Sequence, residues 1–326
     1  MRVLFAGNPA IAVPTLKKIA LHHEVVGILT NPSSAVGRSK EHKPTDVAIA
    51  AIELFGDSVP IFTFDRLGAE ARTAVARLSP DILVVFAYGR IFGPKFLELF
   101  PKGGINIHPS LLPQHRGASP IQQALLNRDR ETGVSVQRLA LEMDSGEIFE
   151  VRRIELAGNE TCAALSETSA LVGADLALQV LSEIAAGRAD PKPQSGKISY
   201  CAKISKEDGL IDWSMATLDI DARIRAFNPW PLAYSFLDSQ RINILEAVPY
   251  DAYTAENTPE ALPPLLPGTI LAVDRSKGIV VRTGDGYLAL ARLQFSARKA
   301  LHHKDFVNGI RNLEGKRFGA EPGRPA

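Results

Sequence analysis

Between residues 2 and about 180, short β-branched apolar runs alternate with longer amphipathic stretches, and this alternation confines the chain to βαβ units around a mostly parallel sheet. The runs predict strands at 2–6, 25–30, 60–62, 81–86, 104–108 and 135–139. Helices are expected near 12–20, 45–55, 67–78, 94–99, 119–127 and 161–186. The fold class is therefore α/β, with a doubly wound, mostly parallel sheet.

The alternation stops at Gly187. From there to Lys206 the sequence gathers Pro, Gly, Ser and Lys and loses hydrophobic periodicity, which is the composition of a linker. The expected division is a domain over 1–188, a linker over 189–205 and a second domain over 206–326. In the second, Ile220, Ile224 and Phe227 recur at helical spacing, and five short runs (AYSFL, RINILEA, GTILAV, GIVVRT and YLALARL) read as strands. Five strands and a helix suit a small β-barrel of the oligonucleotide-binding (OB-like) type, with a β-sandwich as the alternative. The Pro- and Glu-containing stretch 251–267 reads as an exposed loop.

Other features limit the chemistry. The net charge of +1 provides no global attraction to polyanions, so contact with nucleic acid has to come from local basic patches. Cys162 and Cys201 lie outside any metal or CxxC spacing, and a reducing, cytoplasmic setting is expected. The opening MRVLFAGNP is too short for a signal-peptide core, and no later run suggests a membrane span. Neither a GxxxxGK[ST] phosphate loop nor a GxGxxG after the first strand is present, which argues against ATP and NAD. His22-His23 and His302-His303 are adjacent pairs without ligand spacing, so no metal site is expected.

The densest chemical cluster is Asn106-Ile-His108-Pro109-Ser110-Leu111-Leu112-Pro113, at the carboxyl end of an expected buried strand, where α/β folds bind ligands. Residues two apart share a face of a strand, so Asn106 and His108 project together while Ile105 and Ile107 face the other layer. Asp144 follows in a turn sequence containing Gly146. Taken singly, Asn106 is compatible with a satisfied turn residue, His108 with an ordinary strand-end histidine and Asp144 with a backbone cap. Taken together, the three suit transfer of a one-carbon acyl group to an amine. Asn106 and His108 can donate to an oxyanion, and Asp144 can orient and accept a proton. Ser110 sits in no GxSxG elbow and reads as a loop hydrogen-bonder.

Asn106, His108 and Asp144, with Ser110–Pro113 and the sequence Asp144-Ser-Gly146, resemble the active site of folate-dependent formyltransferases. The resemblance implies a Rossmann-like catalytic domain, 10-formyltetrahydrofolate as formyl donor, catalysis by the three residues and no metal. Folate is then expected along Ser110, Leu111, Leu112 and Pro113 and the Asp144 loop, with Phe86, Tyr88 and Gly89 also lining it.

The likeness extends over almost the whole chain, through FAGNP (5–9), FAYGRIFGPK (86–95), NIHPSLLPQHRGASPIQ (106–122), SKEDGLIDW (205–213) and IRAFNPWPLAYSFL (224–237). It is strongest to the branch of the family that acts on methionyl initiator tRNA. That branch implies a tRNA-holding OB-like second domain and a loop, here 31–46, that reaches the acceptor end through Arg38, Lys40, His42 and Lys43. Amino-sugar nucleotides, or water in a formyl-folate hydrolase, are the alternative acceptors.

The chain departs from that branch at Asn8, where Thr is usual, at Pro109, at Gln114-His115 and at Glu41. Phe227-Asn-Pro-Trp230-Pro231 suits either a packed corner or a base-stacking platform. A basic tail (Arg292, Arg298, Lys299, Lys304, Arg311, Lys316, Arg317) suits either a phosphate track or a solvated face. A monomer is expected.

Overall fold

The structure, a computed structural model, describes residues 1–36, 41–251, 265–310 and 312–320, with backbone alone at 34–36 and 41. Two compact units divide the chain. The first comprises Met1–Ile121, Glu131–Leu156 and Ala164–Ala202, and the second Gln122–Arg130, Ala157–Ala163 and Lys203–Ala326.

Strands β1 (Arg2–Gly7), β2 (Glu24–Leu29), β3 (Ser34–Val36), β4 (Glu41–Lys43), β5 (Ile61–Phe62), β6 (Ile82–Phe86), β7 (Gly104–His108), β8 (Arg116–Gly117), β9 (Glu131–Arg138), β10 (Ile148–Glu155) and β11 (Tyr200–Cys201) belong to the first unit. Helices α1 (Val13–His22), α2 (Asp46–Phe55), α3 (Ala69–Ala76), α4 (Pro94–Leu97), α5 (Pro120–Leu126) and α6 (Cys162–Ala185) alternate with them. The main sheet has the order β10-β9-β7-β6-β1-β2-β5. Its strands β7, β6, β1, β2 and β5 run parallel, while β9 is antiparallel to both of its neighbours, β7 and β10.

Both faces of this sheet are covered, so its strands alternate between two cores. Val3 and Phe5 enter a core with Leu16 and Ile19 of α1, Val47 and Ala51 of α2, and Leu176, Ala177, Val180 and Leu181 of α6. Leu4 and Ala6 enter the opposite core with Ala71 and Val75 of α3 and with Phe92, Phe96 and Phe100. Burial on both sides explains why these strands read as continuous apolar runs. From β1 the chain proceeds to β2 and β5 on one side and returns to β6 and β7 on the other. The strand order thus reverses between β1 and β6, which opens a crevice at their carboxyl ends.

The sequence leaves β10 unread. IFEVRRIE places charged residues on an edge strand that is only partly buried, so it carries neither an apolar run nor clean alternation. Strand β9 begins four residues before its expected start, because Thr132 and Gly133 pair within the ladder. The expected linker is also divided, for residues up to Ala202 belong with the first unit and those from Lys203 with the second. Its β11 pairs with β8, and that pairing draws polar linker-like sequence onto the domain. Helix α6 is long and apolar enough to cross a membrane, contrary to the sequence expectation, but its apolar face packs on the sheet as core.

The second unit contains α7 (Thr217–Ala226), β12 (Ala233–Leu237), β13 (Gln240–Pro249), β14 (Ile270–Asp274), β15 (Gly278–Arg282), β16 (Tyr287–Phe295), β17 (Leu301–His302) and α8 (His303–Val307). The sheet is antiparallel, in the order β12-β13-β16-β15-β14, with β17 beside β16. Residues 315–319 hydrogen-bond to both edges, exchanging backbone bonds with Gly268 and Ile270 at one side and with Phe236 at the other. The two edge strands are thereby joined into a barrel-like closure that leaves fewer unpaired backbone groups. Ile220 and Ile224 of α7 fill its core with Ile242, Ile244, Ile279, Val281, Leu288 and Leu290. Phe227 is buried and the Asn228 amide donates to Leu245 O at 3.1 Å, so that corner packs, while Trp230 remains 48% exposed.

Candidate active site

The carboxyl ends of β6 and β7 open into a cavity of about 440 Å³, bounded across the sheet by the end of β9 and residues 138–144. One wall is Val85–Phe92 with Leu97, and the other is Asn106–Pro109 with Gly117, Ala118 and Gln137–Asp144. Tyr88, Phe92, Phe96 and Phe100, spaced four apart, form a continuous aromatic ladder with successive ring centroids 5.5, 5.5 and 5.8 Å apart. Tyr88 and Phe92 present its upper end to the cavity. The Tyr88 hydroxyl is buried and has no hydrogen-bond partner among the described residues. Burial raises its pKa, so it is a neutral donor.

Asn106, His108 and Asp144 converge here, although 36 residues of chain separate the last two. Asn106 Nδ2 donates to Asp144 Oδ1 at 3.2 Å, and His108 Nδ1 lies 3.6 Å from the same oxygen. Asn106 and His108 come to one side through the alternation of β7, whose Ile105 and Ile107 enter the opposite core. Asp144 adopts a left-handed backbone conformation with φ of 51°, which aims its carboxylate back at the sheet. Gly146 keeps this bend closed, since a Cβ there would lie 1.8 Å from Arg138 O. The glycine is required by that close approach.

Three residues missed by sequence reasoning hold this arrangement. Gln137, opposite Asn106 in the β7–β9 register, donates to Asp144 Oδ1 at 2.9 Å. The backbone N–H of Gly117 donates to Asp144 Oδ2, also at 2.9 Å. Gln194 donates to the carbonyls of Asp144 and Gly146, both at 2.8 Å, and its Oε1 accepts from the Arg116 guanidinium at 2.6 and 3.1 Å. A signal for Gln137 was present, since Val134 and Val136 face the core and leave Ser135 and Gln137 on the cavity side of an otherwise apolar strand. Gln194 offers none, because it sits in linker-like sequence.

His108 is almost wholly enclosed, and burial pushes its pKa below the usual imidazole value. The nearby Asp144 carboxylate and the His115 carbonyl pull in the opposite direction without overcoming burial. The ring is therefore neutral near pH 7. Its Nε2 lies 3.0 Å from His115 O, an acceptor, so Nε2 carries the proton and Nδ1 is the basic nitrogen.

The expected folate contacts divide. Phe86, Tyr88 and Gly89 line the cavity, whereas Ser110, Leu111, Leu112 and Pro113 do not. The hydroxyl of Ser110 donates to Gln114 O at 2.7 Å, while Ser135 Oγ donates to Ser110 O and accepts from the Leu112 N–H. The loop's polar groups are spent on its own fold and on β9. Its rigidity supports His108 from behind.

Of the expected tRNA contacts, Lys43 is an exposed residue of β4, and Arg38 and Lys40 lie outside the described residues. His42 Nδ1 lies 3.2 Å from Ser33 O. Arg292 pairs with Glu246 and Lys316 with Asp238, which leaves less free positive charge in the tail than its composition suggests. Arg311 lies outside the described residues. Cys201 is buried and its thiol pKa is raised by that burial, so it is no nucleophile.

Two family descriptions match this chain, "Formyl transferase" over residues 1–181 and "Formyl transferase, C-terminal domain" over 203–311. The methionyl-tRNA formyltransferase of Treponema pallidum is 43% identical over 326 residues, a match spanning 98% of this chain and 99% of that one. Among solved structures, HypX from Aquifex aeolicus in complex with tetrahydrofolic acid has a TM-score of 0.62 at 16% identity, covering 100% of this chain and 50% of that one. The N-formyltransferase from Helicobacter canadensis, in complex with folinic acid and dTDP-3-aminofucose, has a TM-score of 0.64 at 18% identity, covering 89% and 98%. At these identities the two structures speak for the fold.

Proposed function

The chain belongs to the formyl transferase family, and from that membership we propose that it moves the formyl group of 10-formyltetrahydrofolate to the free amino group of methionyl initiator tRNA. The product is the N-formylmethionyl carrier that begins translation. The observation that carries this reading is the 43% identity to a methionyl-tRNA formyltransferase along both units rather than over the catalytic unit alone. We read the protein as a cytoplasmic monomer that holds no metal and no membrane. Arg38, Lys40 and Lys43 take the acceptor end of the tRNA.

The cavity suits a folate. Its volume falls within the usual ligand-pocket range of roughly 300–1,000 Å³, its walls are largely apolar, and the unpartnered Tyr88 hydroxyl offers a donor to a heterocycle. The formyl carbon then lies at the polar end, between Asn106, His108 and Asp144. One N–H of the Asn106 amide is held by Asp144, which leaves the other for the oxygen that gains charge as the amine attacks. As the new C–N bond forms, the attacking nitrogen gives up a proton to His108 Nδ1, the basic nitrogen of the neutral ring. The imidazolium so formed faces Asp144 Oδ1 at 3.6 Å, and the carboxylate stabilises it until the proton passes to the departing folate nitrogen.

The test is transfer itself. Purified protein given 10-formyltetrahydrofolate is expected to formylate charged methionyl initiator tRNA and to leave an amino-sugar nucleotide untouched. Formylation of the sugar alone, or release of formate with no tRNA product, overturns the assignment.

A further inference from the structure

Asn8 lies at the carboxyl end of β1, where the strand order reverses, and it uses its whole amide. Its Nδ2 donates to the carbonyl of Tyr88 and, at 3.4 Å, to that of Ala87. Its Oδ1 accepts from the Asn31 N–H at 2.7 Å and from the Thr30 hydroxyl at 3.1 Å. Two carbonyls on one side require a donor and two donors on the other require an acceptor, so the amide's orientation is fixed by its partners. The backbone carbonyl of Asn8 also accepts from Val47 N at 3.1 Å, in the first turn of α2.

These partners belong to two different walls. Ala87 and Tyr88 form the wall of the cavity at the end of β6. Thr30 and Asn31 lead into the 31–46 loop, while Thr45 closes it, bonded to the Thr30 hydroxyl and capping α2 by accepting from Ala48 N at 3.1 Å. A second tie runs parallel to the first, for Arg90 donates through Nε to Asn31 Oδ1 at 2.8 Å and through NH1 to the carbonyls of Phe64 and Asp65. The topology explains the meeting, since β1 lies between β6 and β2, and Asn8, the residue that follows β1, comes out between the ends of both neighbours. Asn8 itself does not line the cavity.

We propose that Asn8 is a positioning residue that sets both substrate walls at once, its amide nitrogen fixing the formyl-donor wall at 87–88 and its amide oxygen fixing the root of the tRNA-facing loop at 30–31. The inference rests on the reading of the acceptor as tRNA and of the cavity as the folate site. It also gives a physical use to an asparagine with separate donor and acceptor arms, because a hydroxyl side chain is too short to bridge both walls.

Two substitutions divide the amide's work. Asn8→Asp keeps an oxygen for Asn31 and Thr30 but removes the donor to Tyr88 and Ala87. Thr30→Val removes the hydroxyl from the loop root and leaves the cavity wall untouched. Steady-state formylation is measured with each substrate varied in turn. Asn8→Asp is expected to raise KM for 10-formyltetrahydrofolate about five- to tenfold, the effect of losing one or two hydrogen bonds, with KM for tRNA within about twofold of the parent. Thr30→Val is expected to do the reverse, and neither should move the pH profile of kcat. If both variants shift the same KM, or neither shifts any, the proposal is overturned. If Asn8→Asp does not fold, Thr30→Val decides alone by whether its effect is confined to tRNA. Failure of the parent protein to formylate methionyl-tRNA would instead overturn the functional reading beneath it.

Discussion

Asp144 receives hydrogen bonds from three neutral donors, Asn106, Gly117 and Gln137, each from a different segment of the first unit. Its negative charge opposes the depression of the His108 pKa by burial, so removing that charge has a definite sign. In Asp144→Asn the His108 pKa is expected to fall further below 6.5, as read by NMR titration of the ring, while kcat drops by about 100-fold or more. An unchanged or raised His108 pKa would contradict the electrostatics. The same depression links to stability. Neutral His108 contributes fully above the unfolded-state value near 6.5, and that contribution is lost as pH falls through the lower folded value. Gln194→Ala, which removes the donor to the Asp144 and Gly146 carbonyls, is expected to lower kcat roughly ten- to hundredfold by loosening the Asp144 bend, with folate binding little changed. At this scale the sequence was legible where chemistry and strand period coincide, as in Asn106 and His108. It was silent where a residue acts through backbone carbonyls across a long loop, as Gln194 does.

Among the elements, those buried on both faces or alternating cleanly were readable, and those stabilised by contacts distant in sequence were not. Strands β1, β2 and β6 each announce themselves by an apolar run and β7 by its alternation, while β8 and β11 are two residues long and pair with each other. The closing segment 315–319 has a single apolar residue, the buried Phe318, too little for a strand to be read, and its backbone is held by the edges it bridges. Helix α7 shows the same dependence. Ala216 at its N-cap offers no side-chain acceptor, and the Asp285 carboxylate takes the Thr217 N–H at 2.7 Å and the Thr217 hydroxyl at 2.9 Å. Those bonds hold the Asp285 carboxyl below its usual range. Asp285→Ala is expected to cost about 1 kcal/mol, as loss of a cap does, seen as a shift of the denaturant midpoint without change in the site. A neutral effect would show that the helix is held by its buried Ile220 and Ile224 alone.

For the molecule as a whole, a net charge of +1 means that tRNA affinity depends on a few placed cations rather than on an overall field. Each phosphate contact contributes a slope of about −0.9 to log K against log salt. Lys43→Ala is therefore expected to reduce the slope by about one unit while leaving folate binding unchanged, and an unaltered slope would remove Lys43 from the interface. The division of the chain carries a further consequence. Residues Gln122–Arg130 and Ala157–Ala163 are counted with the second unit, where Arg128 pairs with Asp219 at 3.2 Å and Arg225 donates to Glu160 O at 3.1 Å. That unit is assembled from three separate lengths of polypeptide. A chimera spliced at Lys203 would inherit the barrel without the two short pieces that complete it, so exchange between relatives is expected to succeed only when all three travel together.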